Sequence, residues 1–417
     1  MNILITLLLA ASGAAWPQVA VSSASAGPQS LAALLEEAKA RNPAVLAAKK
    51  AWEVQKDRVL PAWTWQDPTL GYGYERIPSP AGYTGMTMYS VSQKIPFPGK
   101  LSAESGMKYH EARIAYQKYL AVQLDVLTQV KLAYHQLLYL QRSSQVLRRE
   151  ASILMAVTRA AEALAASGKA RADEPLLSEL KAKEVENDAY EKERGVPVEE
   201  AALNALLSRP PGTRHLLLPP PNPSEAPPSV EQLESLAREK NPNFLQSAHL
   251  IHHADLGHHL GLLAYAPDFE FNYQAQETGG KISPFYTGMN LSIPLWAWKQ
   301  DAELDAARRH QEEAQADYQA ALNDLLKDVR SHRINIETQR RLALSYGREL
   351  LPLARSAFEI SLKNYETGRE SFARFSDSFE RLLEVELGYD DRLRREGEER
   401  ALLEKAVGGD LKEGEKP

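Results

Sequence analysis

The chain has 417 residues, 44% hydrophobic and 25% charged, enough to bury a sizeable core and too apolar for a disordered polyelectrolyte. A formal charge of −6 provides no basic field for a phosphate backbone, which argues against a nucleic-acid partner. The absence of cysteine removes disulfides, thiolate metal sites and a thiol nucleophile, and no run of 18 apolar residues follows the first thirty, so a bundle of membrane helices is excluded. Strands crossing a bilayer remain compatible with this composition.

Residues 1–35 carry no charge, and the apolar stretch Ile3 to Ala15 precedes Ala24-Ser25-Ala26. This predicts a signal peptide over 1–26 and export. Sliding the remainder on itself by about 199 positions superposes Asn42-Pro43 on Asn241-Pro242, Ile95-Pro96 on Ile293-Pro294, Lys100 on Lys299 and Gly168 on Gly368. The chain therefore divides into a first repeat over 27–208, a linker over 209–228, a second repeat over 229–408 and a polar tail over 409–417. Eight prolines fall between Ser208 and Ser229, so that segment is expected to form neither helix nor central strand.

Each repeat reads in the same order: a short helix, a second helix opening at Pro43 or Pro242, two strand-like runs, a very long helix, a glycine turn and a last helix. Leu70, Tyr72 and Tyr74 alternate with small or polar residues, as do Phe269, Phe271 and Tyr273. Paired with Met86–Lys94 and Thr287–Ile293, these runs predict two hairpins. Trp63, Trp65, Trp296 and Trp298 flank them, where hairpin ends would meet a membrane interface. The long helices carry heptad seams. One runs from Val126 through Val130, Leu137, Leu140, Leu147 and Ala151 to Leu154; the other runs from Leu322 through Val329, Ile336 and Ala343 to Leu350, Leu353, Ala357 and Ile360. At 1.5 Å per residue each would reach about 100 Å, with a bend expected at Pro352.

Four strands cannot close on themselves, and unpaired backbone groups in hydrocarbon cost several kcal/mol each. If these strands lie in lipid, a barrel must be shared among copies of the chain, since the smallest transmembrane barrels have about eight strands; a small soluble sheet packed on a helix would show the same alternation. The expected fold class is mainly α, built from a duplicated helix–hairpin–helix repeat, with a small β part that is transmembrane if the strands enter lipid.

The segment Ser92-Gln93-Lys94-Ile95-Pro96-Phe97-Pro98-Gly99-Lys100 enters the first long helix. Leu350-Leu351-Pro352-Leu353-Ala354 and Tyr365-Glu366-Thr367-Gly368 lie late in the second, followed by Ser371-Phe372 and Asp377. Together with the duplication, these resemble the TolC family of outer-membrane efflux channels, and the first segment is most similar to its heavy-metal (CusC/CzcC-like) branch. The resemblance implies a homotrimer whose 12-stranded β-barrel continues into a long α-helical barrel. It also implies a place in the outer membrane with the helices in the periplasm, and docking to a periplasmic adaptor and an inner-membrane RND pump, with heavy-metal cations as leading cargo. It further implies a gate at the periplasmic tip, with Tyr365 at a linking position and Asp377 at a carboxylate-ring position. Arg374 stands where a second ring aspartate would be expected and is an alternative partner for Asp377. Arg369, Glu370, Arg171, Asp173 and Glu174 could supply opposing charges.

His249, His252, His253, His258 and His259 fall within eleven residues. His249 with His252 or His253 shares a helix face at a spacing that can chelate a divalent ion, although a polar helix surface gives the same pattern. No nucleophile, phosphate loop or dinucleotide fingerprint is present, so no enzyme and no cofactor are expected. The alternative reading is a soluble periplasmic coiled-coil adaptor or scaffold.

Overall fold

The computed structural model describes residues 29–80, 82–217, 225–278 and 280–411. The expected signal peptide, the linker prolines Pro219 to Pro223 and most of the polar tail lie outside the described residues. Helices α1 (Leu31–Arg41) and α2 (Pro43–Asp57) lead to strands β1 (Thr69–Ser79) and β2 (Gly82–Ile95), then to α3 (Lys100–Ala166) and α4 (Glu174–Leu207). The second repeat gives α5 (Val230–Lys240), α6 (Pro242–Leu263), β3 (Asp268–Thr278) and β4 (Lys281–Ser292). It continues with α7 (Ala297–Ser345), a π turn (Tyr346–Leu350), α8 (Leu351–Glu366) and α9 (Phe372–Val407).

The Asn-Pro pairs explain themselves. Proline at the first helical position lacks only an N–H that would have no partner there, and the preceding asparagine caps it. The Asn42 oxygen accepts from the N–H groups of Ala44 and Val45, while its amide donates to the carbonyl of Leu206 at 2.9 Å. The oxygen of Asn241 accepts from Phe244 N–H and its amide donates to the carbonyl of Ala406 at 2.8 Å. One side chain thereby starts a helix and ties it to the repeat's last helix.

The cores repeat as well. Leu34, Ala38, Val45, Val126, Val130, Leu137, Leu203 and Leu207 are buried in one cluster; Leu233, Ala237, Phe244, Leu325, Val329, Ile336, Leu403 and Val407 hold the matching places in another. A third cluster toward the helical tip draws on both repeats, joining Leu147, Leu154, Val157 and Val185 to Phe358, Tyr365, Phe375 and Phe379. The linker is more than a tether: Leu217 is buried in the first core, and the imidazole of His215 bonds Gln29 at 2.9 Å and Asn204 at 2.8 Å. Burial pushes that imidazole down to about 4, so it is neutral at neutral pH.

The strands form one antiparallel sheet in the order β1-β2-β3-β4, with the repeats joined through β2 and β3 from Met86↔Thr278 to Ile95↔Phe269. Leu70, Tyr72, Tyr74, Phe271, Ile282, Phe285, Met289 and Leu291 stand exposed on it, as do Trp63, Trp65, Trp296 and Trp298 at its helix-side end. No described helix is long and apolar enough to cross a membrane. The Pro98-Gly99-Lys100 turn fastens the sheet to the helices. Lys100 Nζ donates to the carbonyl of Ala266 and to Asp268, both at 2.9 Å, and the Phe97 N–H donates to Asp268 at 2.8 Å.

The seam expected for α3 is found: Val126, Val130, Leu137, Leu140, Leu147, Ala151 and Leu154 are buried. The second seam holds from Leu325 to Ala343 and then slips. Leu350, Leu353 and Ile360 are exposed, the last two by 68% and 64%, whereas Phe358, Ser361 and Tyr365 are buried. The five-residue π turn before Pro352 inserts one extra residue and moves the buried face on by one position. A prolyl ring in a regular α-helix clashes with the carbonyl four residues back, here Arg348, and widening the turn relieves that clash. The irregularity expected at Pro352 thus takes the form of a π turn just upstream.

Candidate functional site

Two glycine turns meet at the end of the long helices opposite the sheet. Gly168 (φ 72°) and Gly368 (φ 70°) close α3 and α8 in the same way. Gly168 N–H donates to Ala165 and Lys169 N–H to Leu164; Gly368 N–H donates to Tyr365 and Arg369 N–H to Asn364. This paired bonding satisfies the terminal carbonyls, and the left-handed residue it needs is why glycine stands in both repeats.

Tyr365 lies just inside the second turn, 1% exposed, stacked on Phe375 with ring centroids 5.4 Å apart and edge-on to Phe372. Its hydroxyl donates to Glu174 Oε2 at 3.3 Å, at the start of α4. Burial and the Glu174 carboxylate both hold the phenol far above its ordinary range, so it remains a donor. This bond joins the two repeats of one chain.

The remaining tip residues arrange differently from the expectation. Arg374, in the first turn of α9, pairs with Glu370 of the preceding loop at 3.1 Å, and not with Asp377. Glu370 lies in the turn that precedes α9, so this pair ties the turn to the helix, while Asp377 has no ion pair among the described residues. Asp377 and Arg369 are exposed. Arg171 binds Asp173 at 3.0 Å, and Lys181 bridges α4 to Glu380 of α9 at 2.7 Å. A cleft lined by Lys169, Arg171, Glu174, Tyr365, Arg369 and Glu370 separates the two turns. The arrangement is a polar latch over an aromatic plug: Tyr365–Glu174 holds the two helical hairpins together, and charges ring the outside. Phe372, Phe375 and Phe379, which build the plug, carry a legible i, i+3, i+7 signal.

The histidines lie near the other end of the helices. His249 and His252 on α6 do share a face, but what faces them is His110 of α3, with ring centroids 5.6 Å and 5.2 Å away. His253 turns instead to Glu111 at 3.5 Å. Burial pushes the imidazoles of His110 and His249 down, with the neighbouring cationic groups adding to it.

The family model described as outer membrane efflux protein matches residues 34–207 and again 233–409, once per repeat. The comparison with curated proteins gives no match. Among solved structures the chain is similar to the outer membrane protein VceC of Vibrio cholerae, with 17% identity, a TM-score of 0.78, and 91% of this chain and 96% of that one covered. It is similar also to the MtrE outer membrane channel of Neisseria gonorrhoeae, in its open state, with 17% identity, a TM-score of 0.77, and 91% and 89% covered. CusC, described with its transmembrane channel formation, gives 15% identity and a TM-score of 0.77 over 91% and 92%. At these identities the likenesses establish the fold.

Proposed function

The chain belongs to the outer membrane efflux protein family, and on that premise we propose that it is the trimeric outer-membrane duct of a tripartite efflux system exporting heavy-metal cations. As a member of that family it is an outer-membrane transport channel and not an enzyme, which takes the channel reading over the soluble scaffold. The observation that carries the assembly is the sheet: apolar side chains stand on its surface, and β1 and β4 each present an edge unpaired within the chain. Three copies would supply twelve strands, an even number within the range of closed membrane barrels. The long helices of the three would continue the barrel as a tube in the periplasm, its tip facing a periplasmic adaptor and an inner-membrane RND pump that supplies the energy.

Support for the cargo comes from the Ser92–Lys100 segment, whose form is most similar to that of the heavy-metal branch. In this reading Tyr365 latches the tip, Asp377 contributes one carboxylate per copy to a ring that attracts cations, and Arg369 and Arg374 set the local potential. The test is reconstitution of the detergent-extracted protein in planar bilayers. A trimer by cross-linking and a cation-selective conductance that loses selectivity in Asp377→Ala are expected. A monomer released by osmotic shock without detergent would overturn the duct, and unchanged selectivity would remove Asp377. Cells lacking the chain should become sensitive to zinc, copper or silver salts; sensitivity only to organic compounds would overturn the cargo.

A further inference from the structure

Away from tip and sheet, one cluster of side chains has no part in the duct. His110 sits ten residues into α3, about 15 Å from the start of that helix by the helical rise. It packs between His249 and His252 of α6. The Nδ1 atoms of His110 and His249 are buried and have no hydrogen-bond partner among the described residues. Orphaned buried nitrogens carry a desolvation cost that packing does not require, because apolar side chains of the same size would fill the place without it.

Spacing gives the orphaned atoms a use. With a metal–nitrogen bond of about 2.0 Å, the ring centroids of two imidazoles on one tetrahedral ion lie about 5 Å apart. The observed separations of 5.2 and 5.6 Å match that distance. As the rings stand, no three donors among the described residues are set to hold an ion together. The His110 ring lies nearly flat over His252, at 29°, and a turn about its side-chain torsions would aim a nitrogen between the two α6 histidines. His252 is exposed, which leaves a path for the ion and room for a water as fourth ligand.

We infer that His110, His249 and His252 form an inducible site for a divalent cation between α3 and α6. Three imidazoles without a thiolate suit borderline ions, Zn(II), Cu(II) or Ni(II), over Cu(I) or Ag(I). Because α3 belongs to the first repeat and α6 to the second, the bound ion braces the two repeats below the sheet. The site does not depend on the cargo of the duct. His253, committed to Glu111, stays outside it.

The test is titration of the untagged, detergent-solubilised protein, stripped with EDTA, with ZnCl2 and with CuCl2. One ion per chain is expected. His110→Gln should weaken binding at least tenfold, His252→Gln should do so with the fold intact because that residue is exposed, and His253→Gln should bind as the wild type does. The Cu(II)-loaded protein should show nitrogen hyperfine coupling from more than one imidazole. Binding unaltered in both His110→Gln and His252→Gln, or a stoichiometry well below one, would overturn the site whatever the protein transports.

Discussion

The two long helices began from one pattern and solve the same packing problem in different ways. Helix α3 runs from Lys100 to Ala166 without interruption and keeps its seam in register, while its counterpart breaks at Tyr346–Leu350 and resumes with the buried face moved by one residue. Duplication thus conserves the places that the core needs, and a single extra residue in a π turn is enough to exchange which apolar side chains face outward. The repeat ends show a second divergence. Ser208 and Gly408 both close their last helices in a left-handed conformation, at φ 56° and 94°. The serine hydroxyl donates to the carbonyl of Arg41, whereas a Cβ at Gly408 would fall 2.5 Å from the backbone carbonyl of Lys240.

The comparison breaks most visibly under deletion. Removing Arg148 from α3 turns everything beyond it by about 100° and takes Leu154, Val157 and Ala161 off the buried face, a loss on the order of 5 kcal/mol or more. Removing Arg348 abolishes the π turn and leaves Phe358 and Tyr365 where they are, at a cost of about 3 kcal/mol from Pro352 in a regular helix. Adding Pro352→Ala should restore most of that second loss and nothing of the first, as read by thermal melts of the solubilised protein. Gly408→Ala should cost about 2–3 kcal/mol, since the clash is with backbone, while Ser208→Gly should change stability by less than about 1 kcal/mol. A tolerated Gly408→Ala would mean that the two repeat ends are interchangeable after all. A further contrast concerns the latch, which has no counterpart in the first repeat because Ala165 and Ala166 stand there. Tyr365→Phe removes one hydrogen bond to a buried carboxylate, about 1–2 kcal/mol, and should raise the resting conductance of single channels severalfold. Traces identical to wild type would remove Tyr365 from the gate.

Much of this architecture was legible because its determinants are local and occur twice. The Asn-Pro caps, the alternating strands, the glycine turns and the first seam each declare themselves within a few residues, and the second copy repeats them. The π turn escaped because Leu350, Leu353 and Ile360 continue the heptad rhythm as well as the true buried set does; only packing against α9 chooses between them. The pairing of Arg374 with Glu370 was not legible, because Glu370 lies in the turn before α9, where helical spacing does not apply, and Asp377 was weighed as the partner. His110 was beyond reach for another reason. Its partners lie 139 and 142 positions away, and nothing in the local pattern of α3 marks it before α6 is folded against it.

The sheet order carries a consequence for biogenesis. Since β2 and β3 pair inside the chain, the two strands left at the margins are the first and the last, and in the proposed trimer each pairs with a strand of a different molecule. On the proposed assembly a solitary protomer has no stable resting place in lipid. Entry into the membrane and association then become a single cooperative event, whose rate should climb steeply with the concentration of unassembled chains.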